Sequence, residues 1–261
     1  MQVVSWNVLS IRARTEHLAT VIEQHQPQVL LLQETRCGDD RFPHEFLTTH
    51  GYEVAHHGHD HRNGVAIASR LGLSHVRRGF RSQTLAPFDE PRIVSAVVDG
   101  VRLHSIYVPN GRTLKDDQYQ YKLAWLECLR ADVRADLSDG TDVLVAGDFN
   151  VAPTDLDIYD PSRFRRTTHA SPPERRAIAA LLDLGLVDVM RDRLPGSGVY
   201  TWWSHSSQQW DRNRGLRIDL VLASPGCDRR ITTVEVDRVT RGLPGASDHA
   251  PVLVQFEAPP S

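Results

Sequence analysis

Residues 143–158 read VLVAGDFNVAPTDLDI. The opening Val-Leu-Val-Ala is the composition of a buried strand. Gly147, Asp148, Phe149 and Asn150 then break the apolar run. Alternate residues of an extended chain share a face, so Asp148 and Asn150 are expected on one side, with Phe149 turned into the core. Asp and Asn also start turns. The stretch is therefore either a strand ending in a turn or a strand that delivers a carboxylate and an amide to a site. The remainder of the chain has to decide.

Comparable runs recur along the 261 residues. Strands are predicted at residues 2–6, 29–33, 64–69, 93–98, 101–107, 142–146, 218–223 and 251–256. Asp99-Gly100, between two of them, is a hairpin signal. Helices are predicted at residues 14–26, with Leu18, Val21 and Ile22 on one face, and at 116–137, with Leu126, Leu129, Val133 and Leu137 repeating. In SPPERRAIAALLDLG, Ser171 is the expected N-cap, Pro172 the first helical residue, Glu174 the partner in a capping box and Gly185 the C-terminal stop. Strands, hairpins and helices mixed in this way predict an α/β sandwich of two packed sheets with helices outside. No linker or repeat divides residues 1–261, so one domain is expected. Residues 161–173 are arginine-rich and read as a surface loop, and the Pro-Pro-Ser end is expected to fray.

Composition narrows the class. Hydrophobic residues make up 40% and charged residues 24%, ordinary for a soluble globular protein. No apolar run approaches the ~20 residues of a membrane span, and MQVVSWNVLS lacks the pattern of a signal segment. A cytoplasmic protein without membrane contact is expected. Cys37, Cys128 and Cys227 stand too far apart for a zinc cluster and are odd in number for a disulfide framework. His56, His57, His59 and His61 fall between predicted strands and are assigned to a loop rather than a metal site. The net charge of −3 does not announce a nucleic-acid binder. Only the charge on the binding face matters, however, and all basic residues but Lys115 and Lys122 are arginines, which suit phosphate.

Several strands end in similar chemistry. SWN ends in Asn7, LLQET carries Glu34, HSIYVPN carries Tyr107 and Asn110, and AGDFN carries Asp148 and Asn150. LRIDLVLAS holds Asp219 inside an apolar run, where an acid needs a partner. ASDHAPVLV places Asp248 and His249 at the mouth of the last strand. Each can be explained singly as a turn, cap or core residue. Together they point to a site at one mouth of the sandwich.

In their order and spacing, SWN, LLQET, YVPNG, GDFNVAPTDLDI, NRGLRIDLVLAS and SDHAPV resemble the exonuclease III family of abasic-site DNA endonucleases. That family lies within the endonuclease/exonuclease/phosphatase superfamily, and the likeness runs from Gln2 to Val252. It implies a deoxyribonuclease I-like four-layer sandwich and a monomer. It also implies a Mg²⁺-dependent repair nuclease, with Mn²⁺ a possible substitute. Such an enzyme cuts double-stranded DNA 5′ to abasic sites and trims 3′ ends as exonuclease and 3′-phosphatase or phosphodiesterase. By the same resemblance Glu34 is the principal metal ligand, with Asn7 beside it and Asp248 a second ligand. Asp148 activates or holds the attacking water and Asn150 orients it, and Asp148, Tyr107 or His249 takes the first proton. His249 contacts a phosphate oxygen, Asp219 orients and charges its imidazole, and Tyr107 donates to the phosphate or tunes the nucleophile. Asn110 and Arg112 lie at the DNA surface, while Trp202, Leu216 and Ile218 receive a baseless sugar. Arg12, Arg14, Arg212 and Arg214 are candidate backbone contacts. A relative acting on a lipid or inositol phosphate would differ after YT and carry a membrane-facing apolar loop. A non-catalytic DNA-binding descendant would have lost a carboxylate or the histidine.

Overall fold

The computed structural model describes residues 1–59, 61–82, 90–206 and 208–257. Its strands are β1 (Gln2–Asn7), β2 (Val29–Gln33), β3 (Glu53–His59), β4 (Arg62–Ser69), β5 (Ser74–Arg78), β6 (Ile93–Val98), β7 (Val101–Tyr107), β8 (Asp142–Asp148), β9 (Val187–Asp188), β10 (Asp219–Ala223), β11 (Ile231–Val236) and β12 (Val252–Phe256). Its helices are α1 (Thr15–His25), α2 (His44–Thr49), α3 (Asp117–Ser138), α4 (Pro161–Phe164), α5 (Pro172–Leu182), α6 (Val189–Arg193), α7 (Pro225–Arg229) and α8 (Arg238–Arg241).

The strands form two six-stranded sheets, ordered β11-β12-β1-β2-β4-β3 and β5-β6-β7-β8-β10-β9. Each sheet has one parallel pair at its middle, β1 with β2 and β7 with β8; the other pairs are antiparallel. A tight turn cannot join parallel neighbours, and α1 and α3 lie in the two crossovers. The side-chain period of two then sorts the layers. On β8, Leu144 and Ala146 face the other sheet and meet Leu31, Ile67 and Val221, while Val143 and Val145 face outward onto Trp125 and Leu129 of α3 and Ile178 of α5. Sheet one turns Val4, Trp6 and Leu30 outward onto Leu18 and Ile22 of α1. The result is the expected four-layer sandwich.

The capping box at the start of α5 held, while that helix is C-capped by Asp183 rather than Gly185. Asp116 accepts from Gln118 N at 2.9 Å, and Ser171 and Glu174 form the reciprocal box. Asp99 and Gly100 both take positive φ, as a two-residue hairpin turn requires. Gly185, at φ 93, follows the end of α5.

Two readings need correction. His56, His57 and His59 belong to β3, not to a loop. Residues 161–173 are not merely a surface loop: they contain α4 and bury Thr168 and Ser171. The Pro-Pro-Ser end lies outside the described residues. Cys37, Cys128 and Cys227 are buried free thiols. Among the described residues no helix is long and apolar enough to cross a membrane.

Candidate active site

The carboxyl ends of the two parallel pairs open on the same mouth. Asn7 ends β1 and Glu34 follows β2; Tyr107 ends β7 and Asp148 ends β8. Pairing register sets Asp148 between Tyr107 on β7 and Asp219 on β10. β7 and β8 approach closely enough there that a Cβ on Gly147 would lie 2.1 Å from Ile106 O, and this position is held at φ 145. His249 arrives just before β12, and its backbone bridges to Trp202. A cavity of about 190 Å³ is lined by Glu34, Tyr107, Asn110, Asp148, Asn150, Trp202, Ile218, Asp248 and His249.

Asp148 and Asn150 do converge, but by a turn rather than by strand alternation. The strand ends at Asp148, Phe149 is fully buried, and Asn150 takes a left-handed φ of 51°. Asn150 N then donates to Asp148 Oδ1 at 2.8 Å and its amide Nδ2 to Asp148 Oδ2 at 3.2 Å. Asn110 Nδ2 donates to Asn150 Oδ1 at 3.2 Å. Asn7 Nδ2 lies between two carboxylates, 3.0 Å from Glu34 Oε1 and 3.1 Å from Asp148 Oδ2, while its oxygen accepts from Leu9 N. Asn7 thus fixes both acids.

Asp219 and His249 form a buried pair, Nδ1 to Oδ2 at 2.8 Å, with Nε2 3.7 Å from Asp148 Oδ2. Burial pushes the imidazole pKa down, but Asp219 and then Asp148 overcome it and hold His249 up at about 10. Burial pushes Asp148 up to about 7, against the pull of His249 and with the help of Asp219 and Glu34. Burial also lifts Tyr107 well above its usual range, reinforced by Glu34 and Asp148. Tyr107 and His249 therefore carry protons near neutrality, and Asp148 is the group of the three able to take one.

The oxygens fit a hard cation. Asp248 Oδ1 is buried without a hydrogen-bond partner, while Oδ2 accepts from Trp202 Nε1 at 2.9 Å. Glu34 and Asp248 supply oxygen donors, as magnesium prefers. Asp148, Asp219 and His249 also lie close enough to hold an ion. Within that trio the His249 Nδ1 is engaged with Asp219 Oδ2 at 2.8 Å. Among the described residues the other such cluster, His104 with Asp132 and Asp136, is neutralised by Arg77, 2.6 Å from Asp132 and 3.2 Å from Asp136, and by Arg81.

The binding residues divide. Trp202 and Ile218 line the cavity; Leu216 is buried behind them with Ala152, Ile158 and Ala170. Arg112 is exposed beside an adjoining groove with Arg62 and Arg92. Arg14 turns inward to Leu9 O, whereas Arg12, Arg212 and Arg214 are exposed.

Three cavity-lining residues were not singled out in the sequence: Leu9, Arg36 and His169. His169 Nδ1 lies 2.7 Å from Asn150 O, a carbonyl that only accepts, so this nitrogen carries the proton. Burial, then Lys122, lowers His169 to about 4, leaving Nε2 an acceptor. Lys122, also buried, donates to Asn150 O at 2.7 Å and to Glu174. Arg92 stacks 4.7 Å over the Tyr107 ring. Nothing in local spacing marks these residues; only the fold brings them together. The branch motifs acquire a physical meaning as well. Arg217 of GLRIDL reaches Asp157 of PTDLDI at 2.6 Å and takes Asp188 with two bonds of 2.8 Å, pinning the loop after Asn150 against the start of β10.

Comparison with known proteins agrees with this geometry. Residues 4–249 match the model of the Endonuclease/Exonuclease/phosphatase family. The chain is 31% identical to exodeoxyribonuclease III of Haemophilus influenzae, over 98% of this chain and all of that one. It superposes with a TM-score of 0.95 on the 3′ phosphatase NExo from Neisseria, solved bound to a product DNA hairpin. That protein is 35% identical, with 99% of this chain and 100% of that one covered. An AP endonuclease from Archaeoglobus fulgidus gives 0.94 at 32% identity, with the same coverage. The chain therefore belongs to the exonuclease III branch of the endonuclease/exonuclease/phosphatase family, hydrolases of phosphodiester bonds.

Proposed function

We propose that the protein is a Mg²⁺-dependent DNA repair nuclease, active as a monomer, that cuts 5′ to abasic sites and processes 3′ ends. The observation that carries this reading is the convergence of Glu34, Asp148 and the Asp219–His249 pair on one cavity from both sheets. Glu34 and Asp248 hold the metal, with Asn7 fixing Glu34; Mn²⁺ accepts the same oxygens. A cation bound there would supply Lewis acidity to the scissile phosphate. Asp148 takes the proton of the attacking water, which Asn150 helps to position. His249, charged by Asp219, donates to a phosphate oxygen, as does Tyr107. Asn110 and Arg112 contact the backbone on the side of the adjoining groove.

Testing begins with Glu34→Gln, which keeps the shape and removes the charge. Metal affinity and turnover should both fall steeply, with partial recovery at high Mg²⁺. Unchanged affinity by calorimetry would sink the ligand assignment.

For Asp219 and His249, residues acting as a unit lose activity non-additively. The double alanine variant should be little slower than His249→Ala alone. Fully multiplicative losses would show that the two act separately.

Selectivity resides at Trp202 and Ile218, with Leu216 supporting them from behind. Flipping a nucleotide costs a few kcal/mol, least where no base is stacked. Trp202→Ala should lower kcat/KM at an abasic site more than on intact duplex. Because Trp202 Nε1 also holds Asp248, Trp202→Phe is the necessary companion: it keeps most of the wall and removes the bond. Equal losses on both duplexes in both variants would make Trp202 a packing residue only.

A second reading, an enzyme acting mainly at 3′ ends, is favoured by His169. Its neutral Nε2 is an acceptor suited to a terminal hydroxyl or a protonated phosphate oxygen. Wild-type rates on an internal abasic site against a 3′-phosphate terminus separate the two readings.

A further inference from the structure

Both carboxylate oxygens of Glu34 are engaged by side chains. Oε1 takes the Asn7 amide at 3.0 Å; Oε2 takes Arg36 through Nε at 2.8 Å and again through Nη2. Residues two apart can share one carboxylate in this way only because the backbone bends. Glu34 and Arg36 have φ of 50° and 52°, outside the ordinary region for bulky side chains. The bend is fastened from β4, where Thr35 N and Arg36 N donate to Gly64 O and Asn63 O at 3.1 and 2.9 Å. A Cβ on Gly64 would lie 2.1 Å from Thr35 Oγ1, so glycine is needed for the approach. Thr35 Oγ1 in turn lies 2.8 Å from His56 Nε2, whose Nδ1 lies 2.6 Å from Asp39. The bend is therefore built, and it turns both Glu34 and Arg36 to the cavity. The two are unequally wet: 41% of the Arg36 side chain is exposed against 10% of Glu34. The carboxylate sits inside, and the Arg36 side chain is the wetter partner at the rim.

We propose that Arg36 is an exchangeable counter-cation for Glu34: a divalent metal competes with it for Oε2, and the guanidinium so released binds a substrate phosphate. The proposal rests on the reading of Glu34 as metal ligand. The guanidinium fork matches carboxylate and phosphate alike, so one side chain can serve both. Two effects follow. Arg36 weakens metal binding in the free protein, because the ion must displace a hydrogen-bonded cation. Metal and DNA also strengthen each other's binding, since each favours the arrangement with Arg36 away from Glu34, and linkage makes this reciprocal.

Calorimetric titration of Mn²⁺ tests both effects, with and without a nicked duplex whose 3′-terminal linkages are hydrolysis-resistant methylphosphonates, on wild type, Arg36→Gln, Arg36→Lys and Glu34→Gln. Arg36→Gln should tighten Mn²⁺ binding without DNA by roughly 10-fold, within the usual range of coupling between sites. It should also reduce the gain that the duplex gives wild type. Arg36→Lys, which keeps the charge but not the fork, should tighten binding less. Unchanged or weaker Mn²⁺ binding in folded Arg36→Gln and Arg36→Lys, while Glu34→Gln abolishes it, overturns the exchange and leaves the ligand assignment standing. Wild-type affinity in Glu34→Gln overturns both. Should Arg36→Gln fail to fold, Arg36→Lys and the wild-type coupling decide: no tightening in the one, or no coupling in the other, overturns the proposal.

Discussion

Asp148→Asn should slow turnover on DNA by at least ~10²-fold, the lower end for acid–base assistance, without unfolding the protein. On the proposed role the loss is chemical, because an amide cannot take the proton of water. Stability is set by two opposed terms. Asp148 accepts from Asn7, from Asn150 N and from the Asn150 amide. An asparagine with one acceptor oxygen gives up at least one of these bonds, about 1 kcal/mol each. Against that, the buried carboxylate is costly to ionise. Its folded pKa of about 7 stands above the ordinary value of 3.8, so its ionisation erodes stability as pH rises through that window. Asparagine carries no charge and escapes the erosion. Near pH 8 the variant should melt within a few degrees of wild type. A melting temperature that collapses together with the rate would instead mark Asp148 as a folding residue.

Lys122→Met should be the most destabilising single change near the site. Lys122 and Glu174 are fully buried, and the ammonium also donates to Asn150 O at 2.7 Å, Thr168 Oγ1 at 3.2 Å and Asn110 O at 3.3 Å. Methionine fills the space but leaves the Glu174 carboxylate uncompensated. Breaking a buried pair in this way costs about 3–5 kcal/mol. Adding Glu174→Gln removes the stranded charge and should restore a large part of the loss, as partners in one network couple strongly. Urea unfolding of both variants measures this. A loss under ~1 kcal/mol in Lys122→Met would mean that water or rearrangement satisfies Glu174. The site should feel the change as well, because Lys122 holds the backbone of both Asn110 and Asn150.

Which parts of this molecule were legible beforehand follows a physical pattern. The eight predicted strands are the inner members of the two sheets, whose buried faces force Val, Leu and Ile into the chain. The four that escaped, β3, β5, β9 and β11, are the four sheet edges. Edge strands have one unpaired side and carry charge or polar residues that blunt it. EVAHHGH and SHVRR therefore do not read as strands. The site shows the same division. Asn7, Glu34, Tyr107, Asp148 and Asp219 drew notice because polar groups recur at the ends of several apolar strands, although each alone reads as a turn, cap or core residue. Arg36, Lys122 and His169 were invisible because each looks ordinary in its own segment. Lys122 acquires its role from partners remote in sequence, among them Glu174, 52 positions away. Asp148 and Asn150 were paired correctly by strand alternation, yet a left-handed turn is what joins them.

The two sheets interleave early and late parts of the chain. Asn7 and Glu34 stand on sheet one, Tyr107, Asp148 and Asp219 on sheet two, and sheet one itself sets β12 beside β1. On a ribosome, the segment carrying Glu34 emerges long before residues 252–256 exist to flank its sheet. A fragment that stalls or is clipped before β12 holds most of the acids but lacks the strand that seats His249. On the proposed roles, hydrolytic competence is then a late property of synthesis, expected only once β12 has joined β1.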